Sequence, residues 1–422
     1  MLKNNLPEID FKETELKNGL KLVMFRKNNI PMVTVNTSFK IGSKDEEEGK
    51  TGLAHLFEHL MFSESPNIKH GMFDEILNMN GGDSNAFTTW DYTGYHITLP
   101  SNKLELALWL DSDRIAGFDI SQESLDVQKS VVQEENLQVH ENVPYGSVEK
   151  ESSKRLFKGN GYSRPIIGLM EDVKQLTLED VSEFFSKYYI PRNAVISIVG
   201  DIDYDNTLNL VSKYYEDIPT GKNIVEKEFN DITIANEIQD TIEDQIELPA
   251  QFIYYKTPGI GTKEYYILNL LSAIMSDGES SKLYRELLYK KELVSEIDSY
   301  YHGMEKAGLF SINSFAMKKV PLKIIRNEID KIIGEIQEGK IEEKEVVKIK
   351  NYFETMFISK RQTMNYLADS MSFLKLFFND VSLINTDVLN YISIQKEEII
   401  ECARKYLNKE NRVVLNYIPG KK

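Results

Sequence analysis

Cysteine and histidine are both scarce in this chain. Its 422 residues include one cysteine, Cys402, and six histidines. A single thiol excludes a disulfide within the chain, and it restricts any metal site to His, Asp and Glu ligands. The use made of the few histidines is therefore informative.

The chain also lacks an excess of positive charge and long apolar runs. The chain has 50 Lys and Arg against 66 Asp and Glu, a net charge of −16. Because binding to a phosphate backbone needs clustered Lys and Arg, this balance argues against a nucleic-acid partner. No run approaches the roughly 20 apolar residues of a membrane span. Residues 1–19 lack the apolar region and cleavage site of a secretory signal, so we expect a cytoplasmic protein, with an earlier removed leader left open.

Two of the histidines stand together in a mostly apolar segment. Residues 51–65 read TGLAHLFEHLMFSES, which places His55 and His59 four residues apart with Glu58 directly before the second. On a helix the two imidazoles lie one turn apart on the same face, and the carboxylate lies on the same side. Two such imidazoles can bind one zinc ion, and the carboxylate can take a proton from water that the ion has made more acidic. The order is that of an inverted zinc-peptidase motif, HxxEH.

A purely structural interpretation is also available, in which an amphipathic helix carries two histidines at this spacing by chance. A third ligand would decide against it, because catalytic zinc sites usually have three protein ligands. The helical segment 124–142 offers adjacent carboxylates, Glu134 and Glu135. Spacing alone does not choose between them, and such a pair is in most proteins a solvated charged face.

The length favours two domains, and the order of predicted elements favours two similar halves. Strands and helices alternate in the first half, with strands at 20–28, 32–43, 95–100 and 194–202 and helices at 51–65, 103–116, 124–142 and 178–189. A similar plan begins again at 250–259 and ends at 396–420 with the same helix–turn–strand pattern. We therefore expect an α+β fold of two similar halves, each a mostly antiparallel sheet packed with helices, joined by a polar linker at 229–245.

Four segments together resemble the pitrilysin family of zinc peptidases, peptidase family M16, in its short bacterial form. They are KTGLAHLFEHLMF, GGDSNAFTTWDYTGYHITLP, VVQEENLQVHENVPYG and GYSRPIIG, at residues 50–62, 81–100, 131–146 and 161–168. The resemblance covers nearly the whole chain. It implies the M16/LuxS-like metallohydrolase fold, with residues 1–228 as a zinc-binding catalytic domain and 229–422 as a homologous domain without a zinc site.

The resemblance also implies roles for single residues. His55, His59 and Glu135 would be the zinc ligands, and Glu58 would be the general base. Segment 81–88 resembles the family's segment beside the edge strand on which substrate lies. There Asn85 and Ala86 would contact the backbone of a peptide that adds as a further strand.

One departure from the family pattern concerns the second half. Many active members carry there an Arg and a Tyr that hold substrate and stabilise the oxyanion, whereas Leu288 and Ser295 stand at the matching positions. Short members work as homo- or heterodimers that enclose a chamber, so we expect this chain to be the zinc-bearing subunit, paired with an M16-like subunit that supplies the Arg and Tyr. The alternative is that Arg285 or Tyr289 fills these roles.

The sequence thus predicts a Zn²⁺-dependent endopeptidase that cuts peptides or unfolded segments, without nucleic-acid or membrane partners. A non-catalytic scaffold subunit, like the family's core proteins in respiratory complexes, is the alternative function. The complete set of three candidate ligands favours the enzyme.

Overall fold

The computed structural model of the chain describes residues 8–117 and 119–420. Two compact units are present, and neither is one uninterrupted stretch of chain. The first contains residues 1–136, 164–228 and 358–386, and the second contains residues 137–163, 229–357 and 387–422. The assignment of catalytic and homologous domains to 1–228 and 229–422 stays a prediction.

The first unit is built on a six-stranded sheet in the order β1-β2-β6-β3-β5-β4. Only the β2–β6 pair in this sheet is parallel, and the long connection between these strands allows it, since parallel neighbours need a crossover. The strands are β1 (Phe11–Glu15), β2 (Lys21–Arg26), β3 (Met32–Phe39), β4 (Asp83–Thr88), β5 (Thr93–Pro100) and β6 (Ala194–Gly200).

Helices cover both faces of this sheet. On one face lies a large apolar core that includes Val35, Leu56 and Ile198. On the other face α12, from the C-terminal third of the chain, packs Leu367 and Met371 against strand residues. The helices that lie wholly within this unit are α1 (Leu53–Leu60), α2 (Met72–Met79), α3 (Leu104–Ala116), α4 (Gln122–Asn136), α6 (Met170–Gln175), α7 (Leu178–Tyr188), α8 (Tyr204–Tyr215) and α12 (Met364–Phe378). Helices on both faces of the sheet explain why β6 is buried at every position and mostly apolar.

The second unit repeats the plan with a five-stranded sheet in the order β7-β11-β8-β10-β9. If these five strands are numbered 1 to 5 along the chain, their order across the sheet is 1-5-2-4-3. Strands β2 to β6 of the first unit, numbered in the same way, have the same order. Its one parallel pair, β7–β11, matches the β2–β6 pair. The strands are β7 (Ile238–Asp244), β8 (Ala250–Thr257), β9 (Val294–Gly303), β10 (Gly308–Ala316) and β11 (Arg412–Pro419). The predicted α+β fold of two similar halves is confirmed.

Helices also pack on the second sheet, around a separate apolar core. Those within the unit are α5 (Val148–Leu156), α9 (Lys263–Ser276), α10 (Leu322–Gln337) and α14 (Lys396–Tyr406), while α11 (Glu343–Lys360) and α13 (Leu383–Ser393) have residues in both units. Among the described residues, no helix is both long and apolar enough to cross a membrane.

The expected polar linker at 229–245 is wrong in its last part, because Ile238–Asp244 forms strand β7. The segment is rich in charge, yet its burial alternates with period two, as expected for an edge strand with one covered face. Its polar composition concealed a strand that the repeated topology requires.

Candidate metal centre

The paired histidines lie on α1, a short helix in the first unit that packs against α4. Leu56, Phe57 and Leu60 fill the core side of α1, which turns His55 and His59 together towards α4. His55 is buried and His59 is half-buried. Their ring centroids are 5.0 Å apart, as expected for side chains one helical turn apart.

The third side chain at this position is Glu135, in the last turn of α4. One of its carboxylate oxygens lies 3.6 Å from His55 Nε2 and the other lies 3.4 Å from His59 Nε2. Glu134, the alternative that spacing left open, is exposed on the surface of the same helix. The structure therefore brings the predicted set His55, His59 and Glu135 together and leaves Glu134 outside it.

These three residues have the geometry and chemistry of a zinc site. One potential ligand atom from each lies within 4.8 Å of the others, and in the described part of the chain no other group of His, Cys, Asp and Glu meets this criterion. Two ligands of a tetrahedral zinc ion with bonds of about 2.0–2.2 Å lie about 3.3–3.6 Å apart. The two N···O separations of 3.4 and 3.6 Å match this spacing. Two imidazoles and a carboxylate are also a donor set that zinc accepts.

Glu58 lies beside the three candidate ligands without joining them. Its Oε2 is 3.9 Å from His55 Nε2. Burial raises the pKa of Glu58, and the nearby charge of Glu135 acts in the same direction, while Thr88 and His59 oppose the rise. A carboxyl group whose pKa moves towards neutrality is suited to accept and return a proton.

The start of α1 depends on a residue that sequence reasoning missed. Glu46 is buried, and its two carboxyl oxygens accept hydrogen bonds of 2.8 Å from the N–H groups of Gly52 and Ala54. Burial raises the pKa of Glu46 to about 8, against the lowering effect of these bonds and of the Arg164 charge. In the sequence Glu46 is one of three consecutive glutamates, and nothing local distinguishes it from its exposed neighbours.

Segment 161–168 supports the same helix start. Gly52 has φ +90° and Gly168 has φ +83°, so both adopt the left-handed conformation that glycine tolerates. A Cβ on Gly168 would lie 2.4 Å from Gly52 Cα, which shows that the two backbones cross in contact. Alongside, the Thr51 hydroxyl donates to Asp172, and the Leu169 N–H donates to Thr51 Oγ1. Gly168, the last residue of segment 161–168, is therefore required because any side chain at this position would clash with the Gly52 backbone.

The residues predicted to bind substrate, Asn85 and Ala86, lie on β4 at the edge of the sheet. Within segment 81–88, residues Asp83–Thr88 form an edge strand themselves, and their place next to bound substrate stays a prediction. β4 pairs with β5 on one side and also contacts α1. Asn85 is exposed, and its Oδ1 accepts a hydrogen bond from the Ala86 N–H.

The second unit carries the positions where the family pattern has Arg and Tyr. Leu288 is partly buried against the apolar core of that unit, and the Ser295 hydroxyl donates to the Phe315 carbonyl. Arg285 is paired with Glu286, and Tyr289 is 53% exposed. α9, which follows β8 as α1 follows β3, contains no histidine.

Comparison with family models gives two matches that follow one another along the chain. The model described as Insulinase (Peptidase family M16) matches residues 22–169. The model described as Peptidase M16 inactive domain matches residues 175–353. Together they span most of the chain, and the first includes all four residues of the candidate site.

Curated relatives and solved structures agree with these matches. The zinc protease PqqE of Helicobacter pylori is 28% identical over 398 residues, which cover 93% of this chain and 89% of the relative. An uncharacterized zinc protease of Rickettsia felis is 23% identical over 368 residues and covers 86% of each chain. The crystal structure of a protease from Helicobacter pylori has a TM-score of 0.92 at 26% identity, covering 97% of this chain and all of the other.

A further structure shows what the fold alone does not decide. A peptidase M16 inactive domain from Pseudomonas fluorescens has a TM-score of 0.88 at 17% identity, covering 98% of this chain and all of the other. At this identity the likeness concerns the fold alone, which therefore also occurs in a structure described as an inactive domain. With the family models, the relatives and the repeated α+β architecture in agreement, this chain belongs to peptidase family M16.

Proposed function

We propose that the chain is a zinc-dependent endopeptidase that hydrolyses peptides or unfolded polypeptide segments. The observation that carries the proposal is the convergence of His55, His59 and Glu135 at the spacing of zinc ligands, with Glu58 beside them. Relatives named zinc proteases support it, although those names describe the relatives.

In this proposal the three converging side chains hold the ion and Glu58 moves the proton. Zinc, when bound, supplies a Lewis acid that polarises the scissile carbonyl and acidifies water. Glu58 takes the proton from the attacking water and later gives it to the leaving amine, a role that its raised pKa and its place next to His55 support.

The proposed substrate lies along β4. Edge strands offer unpaired backbone groups, and an extended peptide that adds there gains main-chain hydrogen bonds with little demand on its sequence. Contact between β4 and α1 supports delivery of the scissile bond to the histidine pair. In this arrangement the Asn85 side chain releases the Ala86 N–H when the peptide binds.

We further propose that the active form is a pair of subunits enclosing a chamber. Leu288 has no polar group, and the hydroxyl of Ser295 already donates within its own unit. Neither can replace the Arg and Tyr of the family pattern, so a second M16-like subunit would supply them. The chain purified alone should then cleave peptides slowly, and adding the partner should restore the rate. Full activity of the isolated chain would contradict this part of the proposal.

Variants of the two adjacent glutamates of α4 test the metal site itself. Glu135→Gln and Glu134→Gln make the same chemical change one residue apart, but only Glu135 faces the histidines. We expect protein purified without added metal to contain about one zinc per chain in the wild type and in Glu134→Gln, and little in Glu135→Gln or His59→Ala. A wild-type protein without zinc would favour the scaffold function instead.

A further inference from the structure

Helix α1 is short and has no side-chain cap of its own. It has eight residues, and glycine stands at its N-cap position, where Ser, Thr, Asp or Asn would normally accept a backbone hydrogen bond. The first N–H groups of a helix have no partner within the helix, and leaving them unpaired in a buried place is costly. At α1 the carboxyl group of Glu46 provides the acceptors for Gly52 and Ala54.

Glu46 is itself held at a fixed place in the first unit. Its peptide carbonyl accepts hydrogen bonds of 3.1 Å from the Arg164 guanidinium and from Lys227 Nζ. The Arg164 carbonyl in turn accepts a bond from the indole N–H of Trp90. Hydrogen bonds thus connect Glu46, directly or through Arg164, to three separate segments of the unit, while its side chain binds the first N–H groups of α1.

We propose that Glu46 is a positioning residue of the metal centre, which fixes α1 so that its two histidines face the carboxylate of Glu135. The inference rests on the proposed zinc function. Ala54, one of the two residues that Glu46 binds, directly precedes His55. α1 carries two ligands and the proposed base, whereas the third ligand comes from α4, so a shift of α1 changes both N···O separations at once.

The size of the effect follows from how sensitive such sites are. Functional constellations need their groups within about 0.5 Å of the productive geometry. Loss of residues that support metal ligands typically costs about 10–100-fold in metal affinity or activity. Glu46→Ala removes both acceptors, and Glu46→Gln keeps one through its amide oxygen, so a graded loss is expected.

The experiment compares these two variants with Glu48→Ala. Glu48 is exposed in the same acidic loop, so Glu48→Ala removes the same side chain at a position that makes none of the described hydrogen bonds to the start of α1. Zinc affinity is measured by competition with a chelator, starting from metal-free protein, and hydrogen–deuterium exchange of residues 52–54 is followed in the same metal-free samples. We expect zinc affinity to fall about 10-fold or more in Glu46→Ala and less in Glu46→Gln, with faster exchange in both, and no change in Glu48→Ala.

The outcomes separate this inference from the proposed function. Failure of the wild type to bind zinc would overturn the function, and with it this inference. Tight zinc binding by the wild type and equally tight binding by Glu46→Ala would overturn the positioning role alone, even if the melting temperature of the variant falls. If Glu46→Ala does not fold, the affinity of Glu46→Gln relative to Glu48→Ala decides in the same way.

Discussion

The contact between Gly52 and Gly168 allows a prediction with a worked magnitude. Gly168→Ala places a Cβ 2.4 Å from Gly52 Cα and 2.5 Å from Gly52 N, which are backbone atoms that cannot rotate away. Holding alanine at φ +83° costs roughly 1–2 kcal/mol, and overpacking a close contact costs a further roughly 1–3 kcal/mol. The free energy of unfolding of the first unit should therefore fall by about 2–5 kcal/mol.

Gly49→Ala is the control for this prediction. Gly49 has φ +82°, nearly the same as Gly168, but a Cβ there meets no atom within 4 Å. Gly49→Ala should therefore show the backbone cost of roughly 1–2 kcal/mol alone. The difference between the two variants isolates the steric contact at the start of α1.

Tryptophan fluorescence during urea unfolding is a suitable assay, because it reports on the first unit. The two tryptophans of the chain, Trp90 and Trp109, both lie there, and Trp90 is buried with its N–H bonded to the Arg164 carbonyl. Equal shifts in the urea midpoint for Gly168→Ala and Gly49→Ala would refute the reasoning, because they would show that the backbone contact between Gly52 and Gly168 does not stabilise the start of α1.

Three further predictions concern the site and its surroundings. Glu58→Gln should keep the zinc content of the wild type and lose peptide cleavage, and retained turnover would show that another group is the base. Ala86→Pro removes an edge N–H, so KM for peptides should rise while zinc content, measured in parallel, stays constant. Because the pKa of Glu46 is about 8 in the fold against an ordinary 4.5, the unfolded chain loses this proton first as pH rises. The metal-free wild type should thus lose stability relative to Glu46→Gln between about pH 4.5 and 8, by at most about 5 kcal/mol at 1.4 kcal/mol per pH unit. Urea midpoints of the two proteins that stay parallel across this range would contradict the raised pKa of Glu46.

Some features of the protein follow from local sequence. The spacing of His55, Glu58 and His59 places them on one side of any helix that forms there, whatever surrounds it. The alternation of strand and helix patterns, and its second occurrence after residue 250, likewise reflects local periodicity and predicts the duplicated α+β architecture.

Other features depend on contacts between residues far apart in the chain. Spacing could not choose between Glu134 and Glu135, because the choice depends on which side of α4 packs on α1. Helix α12 covers the second face of the first sheet from more than 150 residues away, and no local pattern indicates that partner. Strand β7 looked like a linker because five of its seven residues are polar or charged.

Glu46 shows the same limit most clearly. Three glutamates in a row are indistinguishable as a sequence, since each is a flexible acidic side chain in a loop. Burial of one of them against the start of α1, and its two hydrogen bonds there, arise only when distant segments close around it. The sequence by itself determined which groups can bind a metal, because donor type and helical period are local properties, whereas tertiary packing decided which carboxylates reach that helix.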